Sequence, residues 1–139
     1  MNKRTMFMIG VVSAALLTSA GAVNATPTKN TIYVDGTKVN GAAYMINNNN
    51  YFKLRDVAAM VNGSTKQFEV SWNETNKRID LTTNKAYTVV GGEMALPSSA
   101  VKTAKESKAS VFKDGNKADY TGYNISDNNY YKLRDLVRI

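Results

Sequence analysis

The run Asn47-Asn48-Asn49-Asn50-Tyr51-Phe52-Lys53-Leu54-Arg55-Asp56-Val57 returns near the end of the chain as Ser126-Asp127-Asn128-Asn129-Tyr130-Tyr131-Lys132-Leu133-Arg134-Asp135-Leu136. The match extends upstream without a gap. Ile32, Asp35, Gly36, Lys38, Tyr44 and Ile46 correspond to Val111, Asp114, Gly115, Lys117, Tyr123 and Ile125, all 79 positions apart. A duplication of this kind implies repeated supersecondary units, each leaving apolar surface that a neighbour must cover.

Within the first unit, Ile32-Tyr33-Val34-Asp35-Gly36-Thr37-Lys38-Val39 places Asp-Gly between alternating residues, the pattern of a tight hairpin. Tyr44 and Ile46 alternate into an Asn-rich turn, and the chain returns through Tyr51-Phe52-Lys53. Leu54, Val57, Ala58 and Val61 then fall on one helical face, Asp56 sits in the first turn where a negative charge suits the helix dipole, and Asn62-Gly63 supplies a left-handed stop. Phe68, Val70 and Trp72, followed by a turn and then Ile79 and Leu81, read as a second hairpin with one apolar face. Tyr87-Thr88-Val89-Val90 before Gly91-Gly92 reads as a further strand, and 97–109, polar and without apolar period, as a linker. The expected fold class is therefore α+β: small antiparallel hairpins packed with one short helix in a ββ-α-ββ module, followed by a partial repeat. The expected boundaries are a leader at 1–25, the first module at 26–93, a linker at 94–110 and a truncated second repeat at 111–139. Ile139 aligns with Met60, so the sequence carries no second counterpart of the 68–81 hairpin. Two arrangements accommodate this: a piece of a longer array, or a half unit packed on the first module as a cap.

The N-terminus has a short basic start at Lys3 and Arg4, an uncharged apolar run from Met6 to Leu17, and two small-residue patterns, Ala20-Gly21-Ala22 and Val23-Asn24-Ala25. This is the layout of a secretory signal peptide, its apolar core too short for a confident membrane span; an uncleaved anchor is the alternative. Export to the cell exterior or surface is the expected localisation. The chain has no Cys, which removes both a disulfide scaffold and a lipid-anchored cysteine. Without Lys3 and Arg4, 16 Lys+Arg remain against 11 Asp+Glu, a net charge of +5. Such a balance suits anionic envelope polymers, while the scattered single lysines make nucleic acid an unsuitable partner.

The Asp-Gly turn, the Tyr-x-Ile and Asn-Tyr-Phe-Lys-Leu-Arg-Asp run, the Phe-x-Val-x-Trp strand and the Tyr-Thr-Val-Val-Gly-Gly-Glu close together resemble the copper amine oxidase-like N-terminal domain, or stalk domain, of exported Firmicutes-type bacterial proteins. The resemblance spans 31–93 and, truncated, 111–139, in a Lys-Leu-Arg-Asp variant where the commoner version has Val-Pro-Leu-Arg. It implies a noncatalytic α+β module that spaces or presents other domains. It implies no copper chemistry here, because the chain has no His and no Cys to supply imidazole or thiolate ligands.

Nothing in the residues forms a nucleophile–base set, a paired-carboxylate cleft or a phosphate loop, so the chain is expected to be neither an enzyme nor a metal or cofactor protein. Arg55-Asp56 and Arg134-Asp135 recur, but neighbours on a helix diverge by about 100°, which favours structural roles. The structural motif comprises Asp35, Gly36, Tyr51, Leu54, Arg55, Asp56, Gly63 and Trp72. Tyr33, Phe52, Phe112 and Tyr131 fall out of phase with the core positions, with Lys38, Lys53, Lys117 and Lys132 nearby. Either they form an exposed Tyr/Lys surface for glycan stacking or anionic polymer contact, or they are covered between units. The expected function is an exported spacer mediating presentation or protein contact at the envelope; the alternative is a carbohydrate or wall-polymer binding module built on that surface.

Overall fold

The computed structural model describes residues 22–34, 36–95, 99–136 and 138–139; most of the expected leader, Asp35 and Pro97 lie outside them. The chain is a small α+β domain with short helices and mostly antiparallel strands. In order the elements are β1 (Ala22–Val34), β2 (Thr37–Ile46), β3 (Asn49–Lys53), α1 (Leu54–Met60), β4 (Phe68–Asn73), β5 (Arg78–Thr83), β6 (Lys102–Glu106), β7 (Ser110–Lys113), β8 (Asn116–Ala118), β9 (Gly122–Ile125), β10 (Asn128–Lys132) and α2 (Leu133–Leu136). Six strands close into a barrel in the order β9-β10-β3-β2-β1-β6, and the other four form a sheet in the order β4-β5-β7-β8.

The turns follow from the residues at their corners. Asn47 and Asn48 have φ of 50° and 66°, and Ser126 and Asp127, their counterparts, have 50° and 67°. Two consecutive left-handed residues make a hairpin turn whose twist matches the flanking strands. Asn49 donates from its side chain to the Asn47 carbonyl at 3.1 Å, and Asn128 does the same to Ser126 at 3.1 Å. The Asn tract therefore shapes a corner.

Both halves of the duplication build one barrel. β3 pairs with β10 through Phe52↔Tyr131, flanked by Lys53↔Tyr130 and Tyr51↔Lys132. Each of these pairs maps onto itself or its neighbour when residues 79 apart are exchanged, so a local two-fold axis passes through the Phe52/Tyr131 pair. The opposite seam obeys the same exchange: Val23↔Ala104 maps onto Ala25↔Lys102, with Asn24↔Thr103 at its centre. The barrel interior holds Ala25, Tyr44, Ile46 and Tyr51 together with Ala104, Tyr123, Ile125 and Tyr130, and every member has its counterpart 79 positions away. Tyr44 meets Tyr130 edge-on with ring centroids 5.3 Å apart, and Tyr51 meets Tyr123 likewise at 5.2 Å. Such contacts contribute roughly 0.5–1.5 kcal/mol each beyond area burial.

These contacts correct several expectations. The segment read as a linker holds β6, and Ala104 within it is fully buried. Residues 22–25, assigned to the leader, form the start of β1 and pair with β6. The duplication therefore extends upstream to Ala25/Ala104, where few side chains match and the shared feature is burial. The partial repeat is not an appended follower, because its strands complete the barrel. Residues 87–90 form no strand; side chains hold them instead. Glu69 accepts from the Thr88 amide at 3.0 Å and from its hydroxyl, while Glu93 accepts from the Val90 and Gly91 amides at 2.8 Å each.

The second core lies outside the barrel wall. Phe52 and Tyr131 pack there with Leu54, Val57 and Ala58 of α1, Phe68 and Val70 of β4, Ile79 and Leu81 of β5, and Val111 and Leu136. α1 presents the expected face, with Val61 partly buried beside it. In β3, Tyr51 points into the barrel and Phe52 into this outer core, so the strand is buried on both faces and polar alternation does not reveal it. Gly122 is opposite Tyr131 where its counterpart Ala43 is opposite Phe52. A Cβ at Gly122 would lie 2.4 Å from the Tyr131 ring.

Gly122→Ala should therefore overpack the wall and lower stability by about 1–3 kcal/mol, measured by urea unfolding.

Candidate functional site

The positions proposed from sequence do not form one exposed aromatic surface: Phe52, Lys53, Tyr131 and Lys132 meet on the paired strands β3 and β10, but the two rings are covered. Phe52 and Tyr131 are each 1% exposed and belong to the core, so neither can meet a ligand. Burial pushes the Tyr131 phenol up to about 12, with the Ser107 hydroxyl pulling the other way; Tyr130 is raised by burial first and then by Tyr44 and Asp56. Phe112 is half-buried beneath the Arg78 guanidinium, which stands 4.0 Å from its ring centre, and Lys117 is opposite it on β8. Tyr33 is 67% exposed and paired in register with exposed Lys38. Lys53 and Lys132 are half-buried on the paired strands β3 and β10.

The repeated Arg-Asp pair has a structural job in the first unit. Asp56 is fully buried and accepts the Met94 amide at 2.8 Å, tying α1 to the segment after residue 87. Arg55 donates to the Tyr87 hydroxyl at 3.3 Å, and its guanidinium is 5.9 Å from that ring's centre. Tyr87 in turn donates to Glu93 at 2.6 Å, while its amide and carbonyl are held by the Asn62 side chain at 3.0 and 3.5 Å. The Tyr87 hydroxyl and then the Val90 amide lower the Glu93 carboxyl to about 2. Burial first, and then Glu93, raises the Tyr87 phenol. The helix ends at Met60 with Val61 as its cap, two residues before the expected Gly63 stop; Gly63, at φ +84°, lies in the following turn and donates its amide to the Gln67 side chain at 3.0 Å.

Beside this relay is a groove of about 130 Å³, lined by Lys53, Arg55, Ser71, Trp72, Asp127 and Asn129 among others. Sequence alternation assigned Trp72 to the core, but it is 48% exposed and donates from its indole to Glu74 at 2.9 Å. The groove brings the start of α1 and the edge of β4 against the Asn turn of the second half. Two cations and an indole face amide and carboxylate groups there, an arrangement suited to hydrogen bonding and stacking at the edge of an extended ligand. Its volume is well below the roughly 300 Å³ at which enclosed small-molecule sites begin. Of the surface residues named from sequence, Lys53 alone lines this groove; Trp72 was missed because its strand phase placed it in the core.

Among the described residues no group of three or more acidic, His or Cys side chains could hold a metal ion, and no helix is long and apolar enough to cross a membrane. Comparison with known proteins returned no matching family model, curated protein or solved structure.

The depressed Glu93 carboxyl stabilises the fold above the ordinary carboxylate range, and that contribution is lost as the pH falls toward 2. Glu93→Gln should therefore melt below the parent protein near neutrality, with the difference shrinking between roughly pH 5 and pH 2, followed by circular dichroism.

Proposed function

We propose that this chain is a noncatalytic spacer module of an exported protein at a bacterial envelope, in keeping with the stalk domain it resembles. The observation that carries this reading is the fate of the repeated motif. Tyr51, Phe52, Leu54 and Asp56 are buried, as are Tyr130, Tyr131 and Leu136, so the aromatic pair that recurs in both units serves the architecture. A barrel closed by both halves is a stiff unit, which suits holding neighbouring domains apart.

A second reading, contact with an anionic or carbohydrate polymer, is favoured by the Trp72–Lys53–Arg55 groove. Retention of the leaderless protein on purified peptidoglycan or teichoic acid separates the two. A spacer is expected to wash off at moderate salt, because its attraction is only that of a basic surface. Salt-resistant retention that is lost on Trp72→Ala would replace the spacer reading with the polymer-binding one.

Processing offers a check on export. Cleavage after Ala25 would remove Val23-Asn24-Ala25, which pair with β6 and carry the buried Ala25. Cleavage after Ala22 keeps them. N-terminal sequencing of the secreted protein is expected to begin at Val23, and a start at Thr26 would contradict this placement of the processing site.

A further inference from the structure

The local two-fold axis leaves one position in the architecture unmatched. In the second half, β7 is flanked on one side by β8 and on the other by β5, which runs parallel to it through Arg78↔Ser110, Ile79↔Val111, Asp80↔Phe112 and Leu81↔Lys113. The counterpart of β7, 79 positions earlier, is the 31–34 end of β1. Its counterpart of β8 is present, since β2 pairs with it through Ile32↔Val39 and Val34↔Thr37. Its counterpart of β5 is missing: among the described residues no strand pairs with the other edge of 31–34.

The two edges are alike in the features that pairing requires. Both belong to hairpins closed by a two-residue turn, Gly36 at φ 80° and Gly115 at φ 86°. In such a hairpin the residues flanking the turn bond to each other, so alternate residues direct their backbone groups outward. In β7 that outward set includes residue 112, and Asp114 continues it by donating its amide to the Leu81 carbonyl at 2.9 Å. In β1 the same set is Thr31 and Tyr33. The side chains differ in cover. Phe112 is half-buried under Arg78, whereas Tyr33, its counterpart, is 67% exposed.

We propose that the 31–34 edge of β1 is a strand-acceptor site for a hairpin of the β4–β5 type that comes from outside residues 1–139. The incoming strand would run parallel to β1, extend the β1–β2 sheet by main-chain hydrogen bonds, and place a basic side chain over the Tyr33 ring as Arg78 is placed over Phe112. Its recognised pattern is basic–apolar–acidic–apolar, that of Arg78-Ile79-Asp80-Leu81. A second copy of the chain is a poorer donor, because its own β5 is already held between β4 and β7.

The probe is a labelled peptide of residues 67–84 titrated into the full chain. Saturable one-to-one binding is expected. It should weaken by roughly tenfold or more on Tyr33→Pro, which removes an outward amide while sparing the bonds to β2, and also when the peptide carries Arg78→Ala. Thr31→Pro serves if Tyr33→Pro does not fold. Because an isolated hairpin is marginally stable, the same segment is also tethered by appending residues 61–84 after Ile139; the melting temperature should rise, and Tyr33→Pro should abolish the rise. Three results would overturn the proposal: no binding and no rise in melting temperature; binding indifferent to Tyr33→Pro, which would mean the peptide displaces β4–β5 from β7; or dimerisation of the full chain that Tyr33→Pro abolishes, which would make a second copy the occupant.

Discussion

The pairing of β3 with β10 across Phe52 and Tyr131 is the contact on which the rest of the structure depends. It joins the two halves edge to edge, so that hairpins with open edges become a closed barrel. It also turns the two wall strands into shared property of both cores. Tyr51 and Tyr130 go inward to meet Tyr123 and Tyr44, while Phe52 and Tyr131 go outward to meet α1 and the β4–β5 hairpin. Neither half could bury those four rings alone, and a unit of some 60 residues has little surplus stability to leave them exposed.

The same duplication explains where the halves differ. In the first half β1 and β2 are long and continuous, while in the second the corresponding stretches divide into β6 with β7 and β8 with β9. The division lets β7 swing onto β5 and forms the mixed sheet, with Asp114 fastening the junction by accepting the Thr83 amide at 2.9 Å and its hydroxyl at 2.7 Å. Tyr131 in place of Phe52 is matched by Gly122 in place of Ala43, so one side of the axis adjusts its volume where the other does not need to.

Much of this was legible in the sequence. The Asp-Gly and Asn turns, the α1 face at Leu54, Val57 and Ala58, and the β4–β5 hairpin all follow from period and turn chemistry. Three features were hidden for physical reasons. Phe52 and Tyr131 looked exposed because alternation presumes one wet face, and β3 and β10 have none. β6 looked like a linker because its only buried side chain is Ala104, too small to mark a strand. Trp72 looked buried because it continues the phase of Phe68 and Val70, yet β4 runs past the core at that point and leaves the indole beside the Lys53–Arg55 groove. The Arg55–Tyr87–Glu93 relay joins residues far apart in sequence, and no local pattern announces it.

The central claim, that the halves are one folding unit, is tested most directly by separating them. Residues 23–93 and 94–139 are produced alone and then mixed, and thermal melting is followed by near-ultraviolet circular dichroism, which reports the packed tyrosines. Neither piece alone should show a cooperative transition, and the mixture should recover one. A 23–93 piece that melts cooperatively at the temperature of the joined chain would contradict the account.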